Sequence, residues 1–371
     1  MLKVFTLSQK CRKLLIFIDI YGGKNCRSKI SETVHNEKMK ITTLDKYPHL
    51  LTDVVRLVEI SFEYEENHSF MTDFAPLFDS HNLENHFITL DDNEKVIAHI
   101  GVCERYLLNH KIALLGGIAV SKENRGEGIF QNLMREVLSE RSDRYALFML
   151  WSDQEKLYKK FGFYLCGNQI ELSAKNGTKN FIHTKLAQLS SKQMEELKII
   201  YQKSFSNLYT TLLRTDEDWK NLQRIQSSDL FIKEKDGKIY EYFFMNKGQD
   251  LQGVIYEYGT LKDIKIFLEE IRNYGRVWIA KDILASDNLQ YQFLLSPGDT
   301  KLFKAFVESF TNKTIVIEDI NHMKQEVYFH FNEELLGLDT EDFLRGIFGP
   351  GVFEEIETNI NPLFISGLES I

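Results

Sequence analysis

The stretch AVSKENRGEGIFQNLMREVLSE, Ala119 to Glu140, constrains this chain most, because two glycines and an arginine stand where a strand hands over to a helix. Apolar residues dominate KIALLGGIAV ahead of it, as in a buried strand. After it, Leu133, Val137 and Leu138 share one helical face. A helix start carries unpaired N–H groups and the positive end of its dipole, and both favour an anion. Gly126 and Gly128 remove side chains that would hold a phosphate away from the main chain, and Arg125 adds a charged donor. The same residues also read as a tight turn with an incidental arginine. The choice between the two depends on what surrounds them.

The surrounding text organises itself from Met39 onward. KYPHLLTDVVRLVEISFEY places Leu51, Val54, Val55, Leu57, Val58 and Phe62 at helical spacing. Three strand-like runs follow, HFITL, KVIAHIGVCERYLL and KIALLGGIAV, separated by DDNE and NH, so an antiparallel meander is expected. RYALFMLW reads as a buried strand, EKLYKKF as a short helix and YLCGNQIEL as a further strand. After the polar linker SAKNGTKN the order helix, meander, helix, strand recurs, with Asp236-Gly237 at a hairpin turn. No Arg-x-x-Gly precedes the helix in this second copy. The tail from Lys301 mixes helices and strands and ends on apolar LFISGLESI.

At 371 residues the chain is too long for one ordinary core. Four divisions are expected: an N-terminal extension over 1–38, with Met39 as an alternative start, a unit over 39–178, a second over 179–300, and a segment over 301–371. Residues 1–38 hold eight Lys/Arg against three Asp/Glu, so 39–371 carry −14 of a chain whose net charge is −9. Such an acidic body argues against nucleic acid as a partner and suits a cationic one. Cys11, Cys26, Cys103 and Cys166 have no CxxC spacing and suggest a reducing, cytoplasmic setting without a disulfide scaffold. The run LLIFIDI is too short to span a membrane.

Val120 stands five residues before Arg125, and the spacing resembles the V-x-x-x-x-[QR]-x-x-G-x-[GA] signature of GCN5-related N-acetyltransferases (GNAT). Thirty residues past Gly128, YKKFGF (Tyr158 to Phe163) is similar to the Tyr-x-x-Phe-Gly-Phe that follows the fifth strand in that family. The resemblance covers roughly residues 40–175. It implies an α+β (or α/β) fold, a mixed and mostly antiparallel sheet flanked by helices, followed by a second degenerate GNAT-like unit and a C-terminal α+β segment. Phe130 departs from the last signature position, where Gly or Ala is usual. Eis-like acetyltransferases also carry a large apolar residue there, and their multi-domain layout resembles this one. The tail, however, is shorter than a full sterol-carrier-like third domain.

The resemblance implies acetyl-CoA as co-substrate and no metal. Ile118, Ala119 and Val120 would meet its pantetheine arm. Arg125, Gly126, Glu127, Gly128, Ile129 and Phe130 would cradle its pyrophosphate. Tyr158 would act as general acid toward the leaving thiolate. Phe161 and Phe163 read as core. Gly116 and Gly117 suit either a strand bulge or space for the acceptor. His81, His86, Glu104 and Asp153 are the candidates for a base, none in a motif. In Eis-like enzymes the terminal carboxylate enters the active site, which would place Ile371 beside Tyr158. Arg214, Asp216 and Trp219 read as a structural helix start with Asp216 near the N-cap. The acceptor implied is a small-molecule or peptide amine, cationic in character, framed by loops near 63–85, and an Eis-like homo-oligomer is a fair analogy. Two other readings stand beside the enzyme: a silent acyl-CoA-binding protein, and an O-acyl or longer-acyl transferase.

Overall fold

The structure is a computed structural model that describes residues 39–280, 289–351, 353 and 360–371. The extension over 1–38 therefore lies outside the described residues. The first unit opens with β1 (Lys40–Thr43), α1 (Leu51–Ser61) and the short α2 (Phe70–Asp73). α1 buries Val54, Val55, Leu57 and Val58, the face its spacing predicts. The expected meander is β2 (His86–Leu90), β3 (Val96–Leu107) and β4 (His110–Val120), all antiparallel neighbours. It continues through α3 (Ile129–Arg141), β5 (Leu147–Leu150), α4 (Glu155–Tyr158) and β6 (Tyr164–Leu172).

The second unit begins with β7 (Ile182–Thr184), α5 (Ser191–Lys203), α6 (Phe205–Leu208), β8 (Leu212–Leu213) and α7 (Asp216–Gln223). Its own meander is β9 (Asp229–Lys235), β10 (Lys238–Met245) and β11 (Val254–Thr260), with Asp236 and Gly237 both at positive φ in the hairpin turn. α8 (Ile264–Ile271), β12 (Arg276–Ile279) and β13 (Leu289–Pro297) complete it. The C-terminal segment adds α9 (Thr300–Phe310), a separate sheet of β14 (Ile315–Asn321), β15 (Glu326–Phe331) and β16 (Glu334–Asp339), and α10 (Thr340–Phe348).

One mostly antiparallel sheet runs through both units in the order β1-β2-β3-β4-β5-β13-β6-β12-β11-β10-β9-β7, with β8 attached to β3. β13 comes from the second unit by sequence yet lies between β5 and β6 of the first. Its insertion makes the sheet continuous. The two parallel contacts in the sheet, β4 with β5 and β11 with β12, are both short. β5 pairs only with Ile112, Ala113 and Leu114 of β4, whereas β4 runs on to Val120. From Leu115 onward the β5-facing edge of β4 has therefore left its neighbour.

The C-terminal segment packs on the first unit, where Phe306, Phe310, Phe343 and Phe348 share a core with Leu107, Ile112 and Leu147. The last residues then cross both units. Thr210 pairs through its main chain with Pro362 and Phe364, and the Gln292 side chain brackets Ile365 by donating to its carbonyl (2.8 Å) and accepting from its N–H (3.1 Å). Leu363, Phe364, Ile365 and Leu368 are buried. Each contributes roughly 1.5–3 kcal/mol as an upper estimate, so docking of the tail does not hang on one polar contact. Among the described residues no helix is long and apolar enough to cross a membrane.

Candidate active site

The departure of β4 from β5 opens a cavity of about 410 Å³. Its first wall is the strand-to-helix junction. Gly126 (φ +87°) and Gly128 (φ +80°) hold left-handed backbone that other residues adopt only with strain. A Cβ added at either would meet no protein atom within 4 Å, so the main chain there faces open space. Gly128 is the N-cap of α3 and supplies no side-chain cap. The α3 N–H groups thus remain free of a side-chain acceptor, as an anion site requires. Arg125 folds back, its Nε donating to the Val120 carbonyl (3.2 Å). These features fit the pyrophosphate of a coenzyme A ester.

Ile118, Ala119, Val120, Arg125, Gly126 and Gly128 all line this cavity, and so do Ile129, Phe130, Tyr158 and Ile371. Glu127 is exposed and is not part of the lining. Phe130 is buried beneath the junction, edge-on to Tyr158 (centroids 5.7 Å) and to Phe161 (5.6 Å). The large residue at the last signature position is thus a floor that steadies Tyr158. Burial pushes the Tyr158 phenol well above its usual range, and a hydrogen bond with Ser152 only partly opposes this. The phenol stays protonated at neutral pH and remains a donor. Phe163 is fully buried, as core.

The glycine pair in β4 serves two ends. Gly117 sits at positive φ (+59°), where the β3–β4 register shifts between His99 and Gly101, so a bulge is present. Gly116 admits Ile371: a Cβ there would stand 2.5 Å from the Ile371 carbonyl carbon. Ile371 is positioned by what precedes it. Lys247 donates to the carbonyls of Gly367 (3.1 Å), Leu368 (3.0 Å) and Ser370 (2.5 Å), which uses all three hydrogens of an ammonium. Glu369 joins Arg105 Nη2 and Arg214 Nε, each at 2.6 Å, and Arg214 also grips Glu257 with both terminal nitrogens. Burial pushes the Glu369 carboxyl up, but Arg105 and Arg214 outweigh it and hold it below the ordinary range.

Of the four base candidates, only Asp153 lines the cavity. The His81 side chain is 92% exposed and bonds Asp79. Glu104 pairs with Lys111. His86 is fully buried away from the cavity, bonded to His99 (3.0 Å) and to the Leu77 carbonyl (2.9 Å). His99, which sequence reasoning did not single out, bonds the Gly117 carbonyl at 2.7 Å and so supports the bulge from below. Both outer contacts end on carbonyl oxygens, so each ring must donate outward. With the rings neutral, the two inward nitrogens then face each other as bare acceptors. Burial nevertheless pushes His86 down to about 4 and His99 to about 3. The pair acts as support, and its burial opposes a role as base.

Arg214 proves more than a helix start. Its side chain is buried, stacks on Tyr201 (4.2 Å) and Trp219 (4.5 Å), and anchors the tail. The N-cap of α7 is Thr215 in a reciprocal box with Asp218, while Asp216 pairs with Lys198. The second unit also walls the cavity with Lys247, Asp250, Leu251 and Trp278. Burial drives Lys247 down to about 7, opposed first by Glu369, and Asp250 up to about 6, opposed first by Lys247. None of these stands in a motif. Among the described residues, no group of three or more His, Cys, Asp or Glu could hold a metal ion.

The comparisons agree with this architecture. Residues 48–166 match the family model for an acetyltransferase (GNAT) domain. No curated protein matches the sequence. A conserved protein of unknown function from Enterococcus faecalis, a probable N-acyltransferase, superposes with TM-score 0.54 at 15% identity over 81% of this chain and 85% of its own. A GCN5-related N-acetyltransferase from Anabaena variabilis gives 0.53 at 15% identity over the same shares. One from Kribbella flavida gives 0.52 at 11% identity, over 90% of this chain and 100% of its own. At such identities the likeness shows the fold. Residues 48–166 thus match an acetyltransferase (GNAT) domain model, within a larger fold that these structures share.

Proposed function

We propose that this chain is an acetyl-CoA-dependent N-acetyltransferase of the Eis-like plan, acting on a primary amine by direct attack. One observation carries the reading: the unpaired edge of β4, a bare helix N-terminus and a buried, protonated Tyr158 meet in one cavity. The α3 N–H groups and Arg125 hold the pyrophosphate. Main-chain groups of Ile118 and Val120 pair with the pantetheine arm and polarise the thioester carbonyl. Tyr158 donates its proton to the departing thiolate. Ile371, docked on Gly116, and Asp153 line the same cavity and are the candidates to receive the amine proton. A loop-less second unit and a tail that returns to the first support the Eis-like layout, with a homo-oligomer as its assembly.

Calorimetry with acetyl-CoA, followed by thiol release in the presence of amines, tests this. Binding with turnover is the expected outcome. Binding without turnover across amines would favour a silent acyl-CoA-binding protein, and no binding at millimolar ligand would remove the reading altogether.

A further inference from the structure

Beyond the β4 bulge the cavity continues between the first unit's residues 62–74 and the second unit's 247–251. This lobe is aromatic. Phe70 lies 4.8 Å from Phe74, 6.4 Å from Phe62 and 6.0 Å edge-on from Tyr64, centroid to centroid. Its Cζ would stand 3.1 Å from a Cβ at Gly117, so the cluster begins at the bulge itself. The lobe is also held in shape across the two units. Gln249 donates to the Phe62 carbonyl (3.0 Å) and accepts from the Glu65 N–H (3.2 Å).

Its charge balance is narrow. The cavity lining holds two side-chain carboxyls, Asp153 and Asp250, against Arg125 and Lys247. The chain's acid excess is therefore not concentrated here. In the aromatic lobe Asp250 is the one side-chain carboxyl of the lining, so the further charges of a polycation would be buried unmatched, at high desolvation cost. A single ammonium needs only one acid and the faces of aromatic rings, which attract cations. Lys247 already lies 4.7 Å over Phe74, so a bound ammonium has to sit on the Asp250 side of the lobe. Tyr64 contributes a hydroxyl that is buried and has no hydrogen-bond partner among the described residues.

We infer that the acyl acceptor is a primary monoamine with an aromatic or apolar body, seated among Phe62, Tyr64, Phe70 and Phe74 with its ammonium toward Asp250. This rests on the acetyltransferase reading and narrows its acceptor. During transfer the amine nitrogen forms a bond to the acetyl carbonyl carbon. The carbon–sulfur bond breaks with its electron pair leaving on sulfur, and the amine proton passes to a base while the thiolate is protonated.

The test compares 2-phenylethylamine with spermidine, both for binding to the coenzyme A-loaded protein and for kcat/KM with acetyl-CoA. 2-Phenylethylamine should bind, and react, at least about tenfold better. Phe74→Ala and Asp250→Asn should each weaken its binding about tenfold while leaving coenzyme A affinity unchanged, which also shows that the variants fold. Tighter binding of spermidine, binding of neither amine, or variants with undiminished affinity would overturn the inference. Binding of 2-phenylethylamine as expected without turnover would keep the acceptor lobe and remove the transferase reading instead.

Discussion

The two units make the same handover from strand to helix and finish it differently. In the first, β4 leads through Arg125-Gly126-Glu127-Gly128 into α3, whose N-cap has no side chain to offer. In the second, β11 leads into α8, where Asp263 accepts from the N–H groups of Lys265 (2.8 Å) and Ile266 (3.1 Å). A carboxylate of the chain thus fills in the second unit the place that an external phosphate can take in the first. The gap beside each parallel strand pair follows suit. Beside β4 it is open, whereas Gly367 packs against Tyr256 of β11 and Arg214 ties Glu257 to the tail. Of two similar strand-to-helix handovers one stays open, because the other is capped and plugged from within.

Breaking the plug should have the largest effect. Arg214→Ala leaves Glu257 buried without its guanidinium and Glu369 with Arg105 alone, and should cost about 3–5 kcal/mol in denaturant unfolding. It should also lower turnover by freeing the tail. Tyr158 belongs to the open cleft alone. Tyr158→Phe should reduce kcat by about 10²–10⁴-fold with acetyl-CoA affinity nearly unchanged by calorimetry, and an unchanged kcat would remove Tyr158 as the acid.

The histidine pair beneath the β4 bulge gives the open cleft a pH dependence. Both folded pKa values lie below the unfolded 6.5, so the fold prefers the neutral rings. Their contribution is complete above pH 6.5 and is lost as pH falls toward about 3. His99→Gln should flatten that acid limb, by about 3 kcal/mol between pH 7 and pH 3, in equilibrium unfolding. A limb of unchanged slope would show that the pair titrates normally.

Converting one junction into the other sharpens the contrast. Gly128→Asp places a carboxylate at the first helix start and strains a positive φ. Acetyl-CoA affinity should fall about 100-fold, far more than stability changes. The reciprocal Asp263→Ala removes a cap and should cost about 1 kcal/mol in thermal unfolding without altering acetyl-CoA binding. If both substitutions weakened binding equally, the second unit would be a second binding site.

Much of the open cleft was legible in the chain. The glycine loop, the meander before it and the Tyr158 motif are local patterns, and all lie where their spacing places them, apart from Glu127 at the exposed edge. β13 was not read as a strand, because its pairing with β5 and β6 depends on residues more than a hundred positions away. His99 looked like one more strand residue, since its partner is a carbonyl on the next strand. Lys247 and Asp250 carry no motif, and their shifted titration arises from burial that a linear text does not display.

The order of residues dictates where this backbone can bend, where it can wind, and where bare N–H groups await an anion, for these are short-range steric and dipolar matters. Which of two alike clefts stays open, and which rings and charges face it, follows from contacts between segments far apart in the chain. Desolvation and packing act on neighbours in space, so those choices exist only once the tail and β13 have found their places.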